Sequence, residues 1–140
     1  MQSANPYDVI VIGAGAGGMT AACVAASEGL STLLLEKSPW VGGTTALSGG
    51  MVWVPGNTKL PESRRADDLA AARIYLGNTL PASRDGALVE AYLSRGAEAL
   101  DYLEARTSVA LRPVVFYPDY YPERPGASLG GRVLEPQAFN

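Results

Sequence analysis

YDVIVIGAGAGGMTAACVAASEGLSTLLLE, residues 7–36, decides the fold. After its first two positions the segment YDVIVI is continuously apolar and β-branched, the pattern of a strand buried on both faces of a parallel sheet. Glycines follow at once. From Ala16 to Glu28, small residues with Met19, Cys23 and Val24 suit a close-packed helix, and Gly29 is placed to end it in a left-handed cap. Residues 30–36 (LSTLLLE) form a second apolar strand that ends on a carboxylate. Strand, helix and strand fit within about thirty residues, the size of one βαβ unit. The fold class is therefore α/β, built on a Rossmann-like unit.

Gly13, Gly15 and Gly18 make G-x-G-x-x-G between the first strand and the helix. This spacing lets the chain turn tightly, lets a pyrophosphate approach the backbone and lets helix pack on strand, with the helix N-terminus facing the phosphate charge. The motif alone is weak, but Glu36 follows Gly13 by 23 residues at the end of the second strand, where a carboxylate can accept both ribose hydroxyls. The plainer alternative is a glycine-rich turn with a surface glutamate. Glu36 also repels a 2′-phosphate, which argues against NADP, an effect that Lys37 beside it only partly offsets.

The fingerprint does not separate FAD from NAD, since both carry an adenosine diphosphate. The next segment bears on the choice. Gly42, Gly43, Thr44, Thr45, Ser48, Gly49 and Gly50 put bare backbone and short hydroxyls just after the ribose-binding strand, where amides can reach a pyrophosphate and a flavin edge. The alternative is a flexible linker, which has similar composition. Against a linker stand Leu47, Met51, Trp53 and Val54, expected to anchor residues 40–57 as an ordered loop without regular structure.

Beyond a polar stretch at residues 59–65, Leu69, Ala72 and Leu76, then Val89, Leu93, Gly96, Leu100 and Leu103, predict two amphipathic helices separated by Pro81. Ser83 is the expected cap of the second, and Glu90, Glu98, Glu104, Arg95 and Arg106 its solvated outer face. After Val109 the helical period is lost and five of the ten prolines follow, which marks strand and loop. The expected organisation is a dinucleotide-binding βαβ unit with its glycine loop over 1–57, a helical segment over 58–108, and from 109 the start of a substrate-side strand and loop region that reads as cut at residue 140.

The chain has 140 residues, 47% of them hydrophobic, enough to bury a core. Eleven Lys and Arg against fourteen Asp and Glu leave a net charge of −3, without the basic face that nucleic acid requires. The absence of His removes His-based acid–base work and most transition-metal sites, and no metal ligand set is assigned. The single Cys23 is read as helix packing rather than a reactive thiol, and fits a reducing, cytoplasmic setting. The uncharged run 9–26 is interrupted by four glycines and has no basic flank before it, so no membrane segment is expected.

Tyr117, Tyr120 and Tyr121 stand within five residues, between prolines that stiffen the loop. Such phenols can bond a carbonyl or one another, or supply packing area with wet hydroxyls; a free phenol, with a pKa of about 10, becomes a base near neutrality only with help.

In VIGAGAGG (11–18), LLLEK (33–37), GGTTALSGGMVWVP (42–55) and DYYPERPGASLGGRVLEPQAFN (119–140), the chain resembles FAD-binding flavoproteins of the fumarate reductase type, and among them most closely the 3-ketosteroid Δ1-dehydrogenases. The glycine fingerprint is shared widely; ALSGG with Trp53 and Pro55, followed by DYYP, is far more specific. The resemblance implies noncovalent FAD, since covalent relatives carry a flavin-linking His near this loop. It implies that Gly13, Gly15, Gly17 and Gly18 bind the pyrophosphate, Glu36 with Lys37 the ribose, and Gly43, Thr44, Thr45, Ser48, Gly49 and Gly50 the ribityl and flavin region. Tyr121 matches an active-site tyrosine that supports the catalytic base. The implied reaction is proton abstraction beside a ring ketone with hydride transfer to flavin N5, on a 3-ketosteroid. The base, the carbonyl donors and the second FAD-contacting segment lie beyond position 140 in the family, so the implied object is an incomplete FAD-binding domain. A fumarate- or urocanate-reductase-like flavoprotein, a non-catalytic dinucleotide-binding piece and an NAD-binding module remain as alternatives.

Overall fold

Val9–Ile12 forms β1 and Thr32–Leu35 forms β2, a parallel pair in register from Val9 opposite Thr32 to Ile12 opposite Leu35. The helix between them, α1 (Ala16–Ser27), ends at Gly29, whose φ of +84° and N–H to the Ala26 carbonyl give the expected left-handed stop. These elements are seen in a computed structural model that describes residues 6–82 and 85–138. Two compact units divide between Gly50 and Met51.

Side chains two apart on a strand share a face. Val11 faces α1, its Cγ1 within 3.5 Å of where a Cβ on Gly18 would stand. Ile10 and Ile12 point the other way and are 49% and 85% exposed. The expected strand buried on both faces is thus buried on one, because α1 is the described element packed on this two-stranded sheet. Cys23 is also exposed, and α1 has no fully buried residue, so the thiol does not serve as core packing among the described residues. Gly43–Leu47 winds into a short 3-10 helix where an irregular loop was expected, and Leu47, 90% exposed, anchors nothing in this unit.

In the second unit β3 (Val52–Trp53), β4 (Leu111–Pro113) and β5 (Val133–Pro136) form an antiparallel sheet in the order β3-β5-β4. Residues 51–57, grouped by composition with the glycine loop, fold with this sheet. The predicted helices are α2 (Glu62–Thr79) and α3 (Gly86–Arg106). Leu100 and Ala97 of α3 pack on Val54, Leu111 and Leu134, the core of the unit. Asn57 is buried there with its amide satisfied: Nδ2 donates to the Val54 and Gly131 carbonyls and Oδ1 accepts from Lys59. A buried amide must be paired in this way or it costs stability.

Asp85 caps α3, its carboxylate accepting from the Ala87 and Leu88 amides; Ser83, the expected cap, lies outside the described residues. On the outer face, Glu90 takes both arms of Arg73 from α2, and Arg95 pairs with Glu98. Glu104 departs from the expected solvated role. Burial opposes its charge, but Lys59 at 2.6 Å and the Leu111 amide outweigh burial and hold its carboxyl low, tying α3 to β4.

Candidate functional site

The turn after β1 carries the first glycine cluster. Gly13 N–H donates to the Leu35 carbonyl, Ala14 is fully buried, and α1 starts from Gly15 without a side-chain cap and without an acidic residue in its first turn. The first amides of a helix lack intrahelical acceptors, so this uncapped end faces outward with donors and partial positive charge. Gly18 closes the turn: a Cβ there would lie 1.8 Å from the Gly13 carbonyl oxygen. That contact is backbone on backbone, and only glycine fits it.

The second glycine loop returns to the first. Gly42 N–H donates to the Ala14 carbonyl at 2.7 Å, and a Cβ on Gly43 would stand 3.1 Å from Gly15 Cα. The two glycine segments, distant in sequence, therefore touch through bare backbone. Thr44, Thr45 and Gly49 are exposed and Gly50 is half-buried. Ser48 is exposed as well, its hydroxyl donating to the Thr45 carbonyl and accepting the Gly50 amide within the loop.

Glu36 closes the other side, where Ile12, Gly13, Leu35, Glu36 and Lys37 line an open cleft of about 400 Å³. Its Oε2 accepts the Ala14 amide at 2.7 Å and its Oε1 the Ser38 amide at 2.9 Å. The Ala14 bond first, then that from Ser38, hold the carboxyl below its ordinary value against a smaller opposing effect of desolvation. A carboxylate with a lowered folded-state pKa contributes stability that is complete above the ordinary glutamate value and is lost as pH falls through the lowered one. An NMR titration should accordingly show the Ala14 amide shift moving below the ordinary glutamate range. A midpoint at the ordinary value would show that the Ala14–Glu36 bond is not formed in solution.

The second unit holds a different constellation. Arg132 is 1% exposed, with Nε on Asp68 at 2.8 Å and Nη1 on Asp119 at 2.6 Å. It also donates to the carbonyls of Gly126 and Asp68. Asp119 accepts in addition from Trp53 Nε1 at 2.6 Å and from the Ser128 amide. The Trp53 ring stacks with Tyr92, whose hydroxyl donates to the Trp53 carbonyl and whose phenol is pushed up by burial, so it stays protonated. This network fixes the residue immediately before Tyr120 and Tyr121.

Beside it lies a mostly apolar pocket of about 250 Å³, walled by Met51, Trp53 and Val133 on one side and by Tyr117, Tyr120 and Tyr121 on the other. Tyr120 is 90% exposed and Tyr121 45%, so the cluster is neither buried packing nor free loop. Clefts of this kind, apolar with a few convergent hydroxyls, are the usual form of small-molecule sites.

Residues 8–133 match the family model of an FAD binding domain. The chain belongs to that family. Its cofactor is FAD. As an FAD binding domain it is 46% identical over 134 residues to a 3-oxosteroid 1-dehydrogenase of Mycobacterium tuberculosis, across 96% of this chain and 24% of that one. It is 40% identical to a 4-oxocyclohexanecarboxylate 2-dehydrogenase of Sinomonas cyclohexanicum, over 97% of this chain and 24% of that one. The crystal structure of 3-ketosteroid Δ1-dehydrogenase from Sterolibacterium denitrificans, in complex with 1,4-androstadiene-3,17-dione, matches 95% of this chain and 23% of that one, with a TM-score of 0.85 and 41% identity. The chain thus spans about a quarter of the length of these relatives, an α/β FAD-binding domain in part. No described helix is long and apolar enough to cross a membrane.

The structure brings Gly13, Gly15, Gly18, Glu36, Lys37 and Gly43 together in the first unit and places Tyr121 in the second. Sequence reasoning passed over Asp68, Tyr75, Arg124 and Arg132. The signal for Arg132 was available: a single arginine between Gly-Gly and an apolar pair, in a segment that reads as strand, has no solvated place to go.

Proposed function

We propose that the chain is the N-terminal FAD-binding portion of a flavin-dependent dehydrogenase that desaturates a ring bond next to a ketone, with a 3-ketosteroid as substrate. The observation that carries this reading is that the likeness to the Δ1-dehydrogenase structure extends over 95% of the chain, at 41% identity.

In this reading the uncapped start of α1 and Gly13, Gly15, Gly17 and Gly18 hold the pyrophosphate, because amides and bare Cα atoms present charge without bulk. Glu36 holds the ribose hydroxyls: a carboxylate has about four acceptor positions, and the amides of Ala14 and Ser38 use two of them. Lys37 stands beside it. Gly43, Thr44, Thr45, Ser48, Gly49 and Gly50 carry the ribityl and flavin region, and binding is noncovalent, in keeping with the absence of His. The bound cofactor supplies a hydride acceptor, the chemistry the protein side chains lack. Tyr121 Oη acts as donor or acceptor toward the group that takes the substrate proton. The apolar pocket wall excludes water from the ring. A reducing, cytoplasmic setting accords with the free thiol of Cys23.

The test is turnover of the full-length natural protein, loaded with FAD, with an artificial electron acceptor. We expect 4-androstene-3,17-dione to be oxidised at C1–C2 and fumarate not to be reduced. Oxidation of 4-oxocyclohexanecarboxylate alone would keep the reaction and move the substrate to the monocyclic class, which the 40% identity to that dehydrogenase favours as second reading. Reduction of fumarate would overturn the proposal.

A further inference from the structure

We propose that Tyr75 is a positioning residue for Tyr121, with Arg124 as the second arm of one clamp; the proposal rests on the role given to Tyr121 above. Tyr75 belongs to α2, is 5% exposed, and sits 46 residues away from Tyr121 in sequence. Its hydroxyl accepts the Tyr121 N–H at 3.2 Å, and its ring packs against Trp53 with centroids 6.2 Å apart. A phenol that accepts one bond keeps its own proton for a second partner.

Arg124 completes the arrangement. Its guanidinium carbon lies 4.0 Å from the centre of the Tyr121 ring, and its Nη1 donates to the Asn78 carbonyl at 2.9 Å. A guanidinium over a phenol is held by the ring's negative face as well as by contact area. Between these anchors the loop lies directly on the helix: a Cβ on Gly126, where φ is +82°, would stand 2.2 Å from the Ala71 oxygen and 2.7 Å from the Tyr75 nitrogen. Ala71, Tyr75 and Asn78 follow at spacings of four and three, which is one face of a helix. That face seats the loop at Tyr121, Arg124 and Gly126. Pro118, Pro122 and Pro125 limit the loop's own freedom, so pinning the Tyr121 amide and covering its ring determine where the hydroxyl stands.

The experiment is a double-mutant cycle in the FAD-loaded full-length protein. Tyr75→Phe removes the hydroxyl and keeps the ring. It should lower kcat about tenfold, as small misplacement of a catalytic group does, with KM changed by less than about twofold and flavin content and Tm unaltered. The double variant with Tyr121→Phe should be no slower than Tyr121→Phe alone, because Tyr75 acts through Tyr121. An unchanged kcat in Tyr75→Phe, or losses that multiply in the double variant, would overturn the proposal and leave the role of Tyr121 standing. A wild-type kcat in Tyr121→Phe would overturn the role of Tyr121, and this proposal with it. If Tyr75→Phe does not fold, Arg124→Met decides by the same cycle with the same outcomes.

Discussion

Arg132→Met will destabilise the second unit by about 3–5 kcal/mol, the cost of breaking a buried ion pair from one side. The substitution keeps most of the volume but leaves Asp68 and Asp119 without their cation, in surroundings where Arg132 and Asp119 are 1% and 4% exposed. Two carboxylates left close together add mutual repulsion to the loss. Denaturant unfolding followed by Trp53 emission measures it directly, since the Trp53 ring lies 5.7 Å from the guanidinium and its Nε1 bonds Asp119. The triple variant Asp68→Leu, Asp119→Leu, Arg132→Met should recover part of the stability, as apolar replacements of whole buried ion networks do. A loss below about 1 kcal/mol in Arg132→Met, the size expected of an exposed pair, would show that the network is solvated in solution.

Gly18→Ala is the counterpart in the first unit. Its new methyl carbon would fall 1.8 Å from the Gly13 oxygen, and neither atom belongs to a flexible side chain, so the turn itself must deform. Overpacking of this kind costs about 1–3 kcal/mol. Expressed in cofactor affinity, that is roughly a 5- to 150-fold weakening. Flavin absorbance retained after desalting reads the effect, with circular dichroism to show that α1 persists. Gly17→Ala is the steric contrast, since a Cβ there meets nothing within 4 Å, and the turn should keep its shape. Undiminished FAD in Gly18→Ala would mean that the turn does not hold the pyrophosphate in the way proposed.

The parts legible in the sequence are those whose cause is local. Alternation of apolar strand, glycine turn and small-residue helix arises within about thirty residues of one unit, and the observed β1, α1 and β2 fall inside it. The stripes at Leu69, Ala72 and Leu76 and at Val89 to Leu103 mark α2 and α3 because a helix repeats every 3.6 residues whatever surrounds it. The cap of α3 was misplaced by two residues along the chain, since Ser and Asp have nearly equal preference for that position and the choice falls to the local backbone.

Burial and pairing followed a different rule. The run VIVI reads as a strand covered on both faces, but cover is a property of neighbours, and Ile12 is 85% exposed with one helix against its sheet. Trp53 looked like an anchor for the glycine loop and instead lies on a strand paired with Val133. By itself the sequence determined the α/β class and the glycine fingerprint with its acid, because spacing along the chain is enough to state them, while the family entered through the resemblance of whole motifs such as ALSGG and DYYP. Only the tertiary structure decided that Gly43 rests on Gly15, that Arg132 joins Asp68 to Asp119, and that Tyr75 reaches the amide of Tyr121. Those contacts join residues 13 to 64 positions apart, and no local propensity encodes which of the many polar groups in a chain will be buried together.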